Sequence, residues 1–106
     1  MKQPEEASNS KVRLSLVVMH AAWNTSRRVH LQNLMRSLGG LREIRAETVY
    51  FHVERDVDRS GLWPTARKAW KRGLYTDCTH HLVIQDDVLA CRNFLKAAKI
   101  LAELKP

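Results

Sequence analysis

The sequence lacks any long hydrophobic run: no stretch approaches the roughly 20 apolar residues that a helix needs to span a bilayer. Its first ten residues are polar, include Glu5 and Glu6, and have neither the basic start nor the apolar centre of a secretory signal. We therefore expect a cytoplasmic protein without a membrane span. Residues 1–10 are predicted to be a disordered leader, and residues 11–106 are predicted to form a single domain.

Cysteine is also scarce, since Cys78 and Cys91 are the only two in the chain. Two thiols in an otherwise ordinary composition are typical of a reducing compartment. Together with His80 and His81 they could be imagined as a zinc set, but their spacing matches none of the common zinc patterns. The sequence therefore does not predict a zinc site.

Several motifs of well-known enzyme classes are missing. There is no G-x-G-x-x-G after the first predicted strand and no Walker A sequence, which argues against a dinucleotide oxidoreductase or a P-loop enzyme. There is no G-x-S-x-G elbow and no H-E-x-x-H either. The net charge of +7 permits nucleic acid, an anionic surface or a phosphorylated small molecule as a partner. The basic residues are scattered, apart from one local cluster at Arg67, Lys68, Lys71 and Arg72.

Three strand–helix units make up the rest of the chain. Alternating or continuous β-branched and aromatic residues predict strands at residues 11–19, 46–54 and around 82–84. Apolar residues at helical spacing predict helices at residues 24–38, 62–74 and 91–104, with Gly39 and Gly40 ending the first. The order βαβαβα favours an α/β fold, a three-layer sandwich around a short parallel sheet of order 2-1-3, similar to a Rossmann-like half domain.

The third predicted strand ends abruptly in two acids, Asp86 and Asp87. Ligands of open α/β sheets bind just outside the carboxyl ends of the strands. Two carboxylates there cost free energy unless a cation offsets them, and a divalent metal carrying a phosphorylated ligand would do so. The alternative is that both acids cap the helix that follows.

Two short segments give the chain a family resemblance. Residues 61–68, Gly-Leu-Trp-Pro-Thr-Ala-Arg-Lys, loosely match the G-x-x-x-A-R-N segment that opens a helix in family 2 glycosyltransferases of the GT-A type. Residues 84–87, Ile-Gln-Asp-Asp, match the end of the strand that carries the acidic motif of that family. The sequence departs from the pattern at Lys68, where Asn is usual, and at Gln85, where many members carry an acid. The chain thus resembles the N-terminal, nucleotide-sugar-binding half of such an enzyme, without the acceptor half that supplies the catalytic base.

The resemblance implies a donor site for a nucleotide sugar such as a UDP-sugar. The residues that it places against the nucleotide or the sugar are His20, Ala21, Trp23, Glu54, Asp56, Arg67 and Asp86. Asp87 would hold Mn²⁺ or Mg²⁺, hard cations that oxygen ligands suit, and the metal would neutralise the diphosphate leaving group.

Two other interpretations remain open for the same residues. The chain could be a basic α/β module that catalyses nothing and contacts nucleic acid through the helix that carries Arg67 to Arg72. More plainly, His20 could be a histidine satisfied within the fold, and Trp63 and Trp70 could be packing residues.

Overall fold

The computed structural model describes residues 12–104. The leader predicted at residues 1–10 lies outside the described residues. The elements in chain order are β1 (Leu14–His20), α1 (Arg27–Ser37), α2 (Gly40–Glu47), β2 (Tyr50–Arg55), α3 (Leu62–Arg72), a 3₁₀ turn (Gly73–Tyr75), β3 (His80–Gln85) and α4 (Phe94–Leu104).

The three strands form one parallel sheet in the order β2-β1-β3, which confirms the predicted α/β fold and strand order. All seven residues of β1 are buried, because this strand lies between the other two and is covered on both faces. Leu16 is aligned with Phe51 of β2 and with Leu82 of β3, so apolar residues run straight across the sheet.

The two faces of the sheet have separate cores, as the alternation of side chains along a strand requires. Leu14, Leu16 and Val18 face α1, α2 and α4, and pack with Leu34 and Leu95 among others. Val17 and Met19 face the opposite way and pack against Ala69 of α3. Helices on one face, the sheet, and a helix on the other face make the three predicted layers.

A buried polar contact ties α3 to the sheet. Ser15 is fully buried in β1, and its hydroxyl lies against Nδ1 of His81 on β3. The Nε2 atom of His81 donates to the carbonyl of Ala69, 2.9 Å away. The Ser15 hydroxyl and both ring nitrogens of His81 therefore each have a partner.

Several predicted boundaries were wrong. The first helix ends before Gly39, as predicted, but Gly40 already begins α2, a helix that the sequence patterns did not predict, and β2 begins at Tyr50 rather than at residue 46. The last helix begins at Phe94 rather than at residue 91. Asp86 and Asp87 lie in a turn seven or more residues before that helix, so the capping interpretation is wrong.

Among residues 12–104, no helix combines the length and the apolar character that a membrane crossing requires.

Candidate functional site

The carboxyl ends of β1 and β3 meet at a crevice. The central strand is β1, with β2 on one side of it and β3 on the other. The strand order therefore reverses between β1 and β3. Open α/β sheets bind their ligands at such a reversal. A cavity of about 200 Å³ lies there, and five of the predicted site residues line it: His20, Ala21, Trp23, Asp56 and Asp86.

Asp86 makes several of the polar contacts of this crevice, and its side chain is only 1% exposed. One carboxylate oxygen accepts from Nδ1 of His20 at 2.7 Å and from the backbone N–H of Ala21 at 3.1 Å. The other oxygen accepts from the guanidinium of Arg27. The Asp86 backbone N–H donates to the carbonyl of Met19, which extends the β1–β3 pairing past the strand end. Asp86 therefore fastens the loop after β1 to β3.

Arg27 is the site residue that the sequence patterns missed. It is the first residue of α1, where the partial positive charge of the helix N-terminus disfavours a cation. The Asp86 carboxylate offsets this cost, and Asp87 lies 3.6 Å from the same guanidinium. The sequence signal that could have found Arg27 is this anomaly: α1 opens with Arg27 and Arg28 and has no acid in its first turn.

Asp56 shapes the loop that follows β2. Its two carboxylate oxygens accept from the backbone N–H groups of Ser60, at 2.8 Å, and Gly61, at 3.0 Å. Burial, the largest single influence, raises the pKa of Asp56, but hydrogen bonds from the N–H groups of Gly61, Ser60 and Asp58 and from the Ser60 hydroxyl together hold the pKa below its usual value. Because both oxygens are engaged, the side chain holds the wall of the cavity rather than reaching into it.

Trp23 forms the aromatic side of the same cavity. Its backbone N–H donates to the Asp56 carbonyl at 3.0 Å, which joins the loop after β1 to the loop after β2. The Arg59 guanidinium carbon lies 4.6 Å from the centre of the Trp23 ring, and the indole is still 40% exposed. This cation–π contact positions an aromatic ring at the mouth of the cavity.

Asp87, the other acid of the pair, does not line this cavity but a neighbouring groove, and its side chain is 50% exposed. Within the described residues, no group of three or more His, Cys, Asp and Glu side chains is arranged to hold a metal ion. Mg²⁺ nevertheless often binds proteins through one or two carboxylates and takes its other ligands from water and from phosphates. Asp87 has the more accessible carboxylate of the two acids, with one oxygen 3.6 Å from Arg27, whereas Asp86 has both oxygens engaged.

Besides Asp87, two predicted site residues lie outside this cavity. Glu54 faces a different cavity, where it accepts from Nε of Arg72 at 3.0 Å and lies 3.5 Å from Nε2 of His52. Burial, followed by the charge of Arg72, lowers the pKa of His52. Arg67 is exposed on α3 and is not among the residues that line the crevice. The structure therefore does not bring Glu54 and Arg67 together with the other site residues.

Comparisons of the chain with protein-family models, with curated proteins and with solved structures found no match.

Proposed function

We propose that the crevice between β1 and β3 binds a nucleotide diphosphate sugar, and that the chain acts as the donor-binding half of a metal-dependent glycosyltransferase. The observation that carries this proposal is the position of the acidic pair. Asp86 lies against His20 and Ala21 at the strand-order reversal, and Asp87 follows it in the chain beside Arg27. That is the place where an α/β sheet of this order offers a ligand the most backbone and side-chain partners.

The chemistry of the crevice supports a nucleotide. The Trp23 indole on one side of the cavity offers a flat heterocycle a ring to stack on. The N-terminus of α1 lies at the same place and favours negative charge. Asp87, exposed beside Arg27, is the residue that we assign to the Mn²⁺ or Mg²⁺ of a metal–diphosphate complex. Both cysteines are free thiols, in keeping with action in the cytoplasm.

The proposal is tested by thermal unfolding with UDP, Mn²⁺ and the two combined. A ligand present at about 100 times its Kd stabilises a protein by about 2.7 kcal/mol, which corresponds to roughly 10 °C for a domain of this size. We expect the combination to raise the Tm by that order and Mn²⁺ alone to have little effect, because Asp87 offers too few ligands by itself.

A matched pair of variants locates the effect. Asp87→Ala should abolish the extra stabilisation that Mn²⁺ adds to UDP. Asp77→Ala removes an acid whose side chain is 93% exposed before the opposite end of β3, and should leave the shift unchanged. If no nucleoside diphosphate shifts the Tm, with or without metal, the proposal is wrong.

A further inference from the structure

The outer side of α3 and of the turn after it carries an unusual number of exposed aromatic side chains. Trp63, Trp70 and Tyr75 are 78%, 55% and 84% exposed, and Leu74, the neighbour of Tyr75 in the chain, is 78% exposed. Trp63 and Trp70 line one groove together, and large apolar side chains exposed together on a protein surface typically mark a binding site. Trp70 is also held in place, because its ring contacts the His81 ring edge-on at a centroid distance of 5.6 Å.

Basic residues follow the aromatic ones along the same helix. Successive residues of an α-helix are 100° apart, so Trp63 and Trp70 fall on one stripe, and Arg67, Lys71 and Lys68 fall on the adjoining one. All three cations are exposed, and α3 has no acidic residue. We call Trp63, Arg67, Lys68, Trp70 and Lys71 the α3 surface.

Hollows flank the α3 surface on both sides. On the aromatic side a groove of about 540 Å³ runs between Trp63, Trp70 and the edge of β3, with Asp87 at its rim. On the basic side a cavity of about 480 Å³ is lined by Lys68, Lys71 and Tyr75. Glu54 also lines that cavity, but Arg72 pairs with its carboxylate at 3.0 Å, so the positive charge of the two lysines is not cancelled there.

We propose that the α3 surface binds single-stranded nucleic acid, with bases stacked on Trp63 and Trp70 and phosphates along Arg67, Lys68 and Lys71. Proteins that bind single strands combine aromatic platforms for the bases with a basic track for the backbone. A duplex keeps its bases stacked within itself and cannot use the indoles in this way. A protein partner is the weaker interpretation, because protein interfaces are depleted in lysine, whereas here Lys68 and Lys71 lie close to the indoles on the same helix.

The proposal is tested by the fluorescence anisotropy of labelled 12-residue oligo(dT) and oligo(U), with a duplex of equal length as the comparison. Three phosphate contacts to a single strand predict that log K falls with log salt at a slope of about −2. The affinity should therefore drop about 20-fold between 50 and 200 mM NaCl. We expect Trp63→Ala to weaken binding at least fivefold, because one base loses the ring on which it stacks. The exposed indole can be removed without disturbing the core.

Charge reversal provides the control. The double variant Lys68→Glu/Lys71→Glu should abolish binding at 100 mM NaCl, whereas Lys96→Glu, a single reversal at an exposed position of α4, should change it less than twofold. The Lys68→Glu/Lys71→Glu variant should still respond to UDP with Mn²⁺, which separates this proposal from the one for the crevice. Absence of binding at 50 mM NaCl, equal losses in the α3 and α4 variants, tighter binding of the duplex, or self-association that Trp63→Ala removes would each overturn the proposal.

Discussion

Asp86 and Asp87 are neighbours in the chain but lie in opposite environments, with side chains 1% and 50% exposed. Both lie in the turn that follows the last residue of β3. One carboxylate enters the crevice and meets His20 and Arg27, while the other is half-exposed to solvent. The same residue type thus holds the structure together at one position and is available to a ligand at the next.

This difference predicts unequal costs of removal. Asp86→Ala would leave the half-buried Arg27 guanidinium without its main partner and the Ala21 N–H without its acceptor. Removing one partner of a buried ion pair costs about 3–5 kcal/mol. Asp87→Ala should change the free energy of unfolding by no more than about 0.5 kcal/mol, as exposed positions usually do. Urea unfolding of the two variants measures both values, and equal losses would contradict the assignment.

Asp56 predicts a dependence of stability on acid. The N–H groups of Ser60 and Gly61 hold its pKa below the ordinary value of 3.8, despite a burial that alone would raise it. A depressed pKa means that the unfolded chain binds the proton first as the pH falls. The contribution of Asp56 is therefore complete well above pH 3.8 and is lost as the pH falls through the lower pKa of the folded protein.

The measurement is the free energy of unfolding between pH 6 and pH 2. In the Asp56→Asn variant, the free energy of unfolding should fall less steeply below about pH 4 than in the parent chain, because one carboxyl group with a depressed pKa has been removed. An unchanged slope would show that the two N–H groups do not set the pKa of Asp56.

At the scale of residues, the sequence patterns did not predict which side chains contact each other across the fold. The predicted strand order brings the ends of β1 and β3 together, so His20, Ala21, Trp23 and Asp86, which the family resemblance had singled out, line one cavity. The patterns missed Arg27, since its contact with Asp86 joins residues 59 positions apart. They also missed the partner of Ser15, although a hydroxyl within an apolar central strand signals that a partner must exist.

At the scale of elements, the end of α3 is fitted closely to β3. Gly73 has a helical φ of −63°, where alanine usually stabilises a protein by about 0.4–1 kcal/mol. A Cβ at this position would nevertheless lie 2.6 Å from the ring of His81, which Ser15 and Ala69 hold in place. The ring cannot move without breaking those contacts.

Gly73→Ala should therefore destabilise the protein, by about 1–3 kcal/mol. The check is a double-mutant cycle with His81→Ala measured by urea unfolding. Once the ring is absent, Gly73→Ala should cost much less or become stabilising, and the coupling energy should exceed about 0.5 kcal/mol. Additive effects would show that the His81 ring is not what excludes a side chain at Gly73.

The elements that the sequence predicted well were those with a long apolar pattern, such as β1 and the helices α1, α3 and α4. The helix α2 was missed because its eight residues contain just two large apolar side chains, Leu41 and Ile44, and because it begins at Gly40, directly after Gly39. Two glycines are a stop signal in isolation. Both have positive φ, at 99° and 85°, and they turn the chain from one helix directly into the next.

At the scale of the whole molecule, the three-stranded sheet ends at β3 with side chains suited to an interior strand. Leu82, Val83 and Ile84 form the continuous apolar run that is typical of a strand covered on all sides, yet each is only half-buried. Their counterparts in β1, Leu16, Val17 and Val18, are fully buried. The strand is thus more apolar than its position at the edge of the described sheet requires.

The hydrogen bonds of β3 allow its position at the edge of the sheet to be tested at individual N–H groups. The N–H groups of His80 and Asp86 donate to carbonyls at the two ends of β1, at 3.4 and 3.0 Å, and partners alternate along a strand. The N–H groups of Leu82 and Ile84 therefore face β1, and those of Val83 and Gln85 face outward. In native-state hydrogen exchange we expect the former to be protected nearly to the level of β1, and the latter to exchange at least 100-fold faster. Protection of Val83 and Gln85 that falls on dilution would instead reveal a second copy paired at this edge, and protection independent of concentration would contradict the three-stranded sheet.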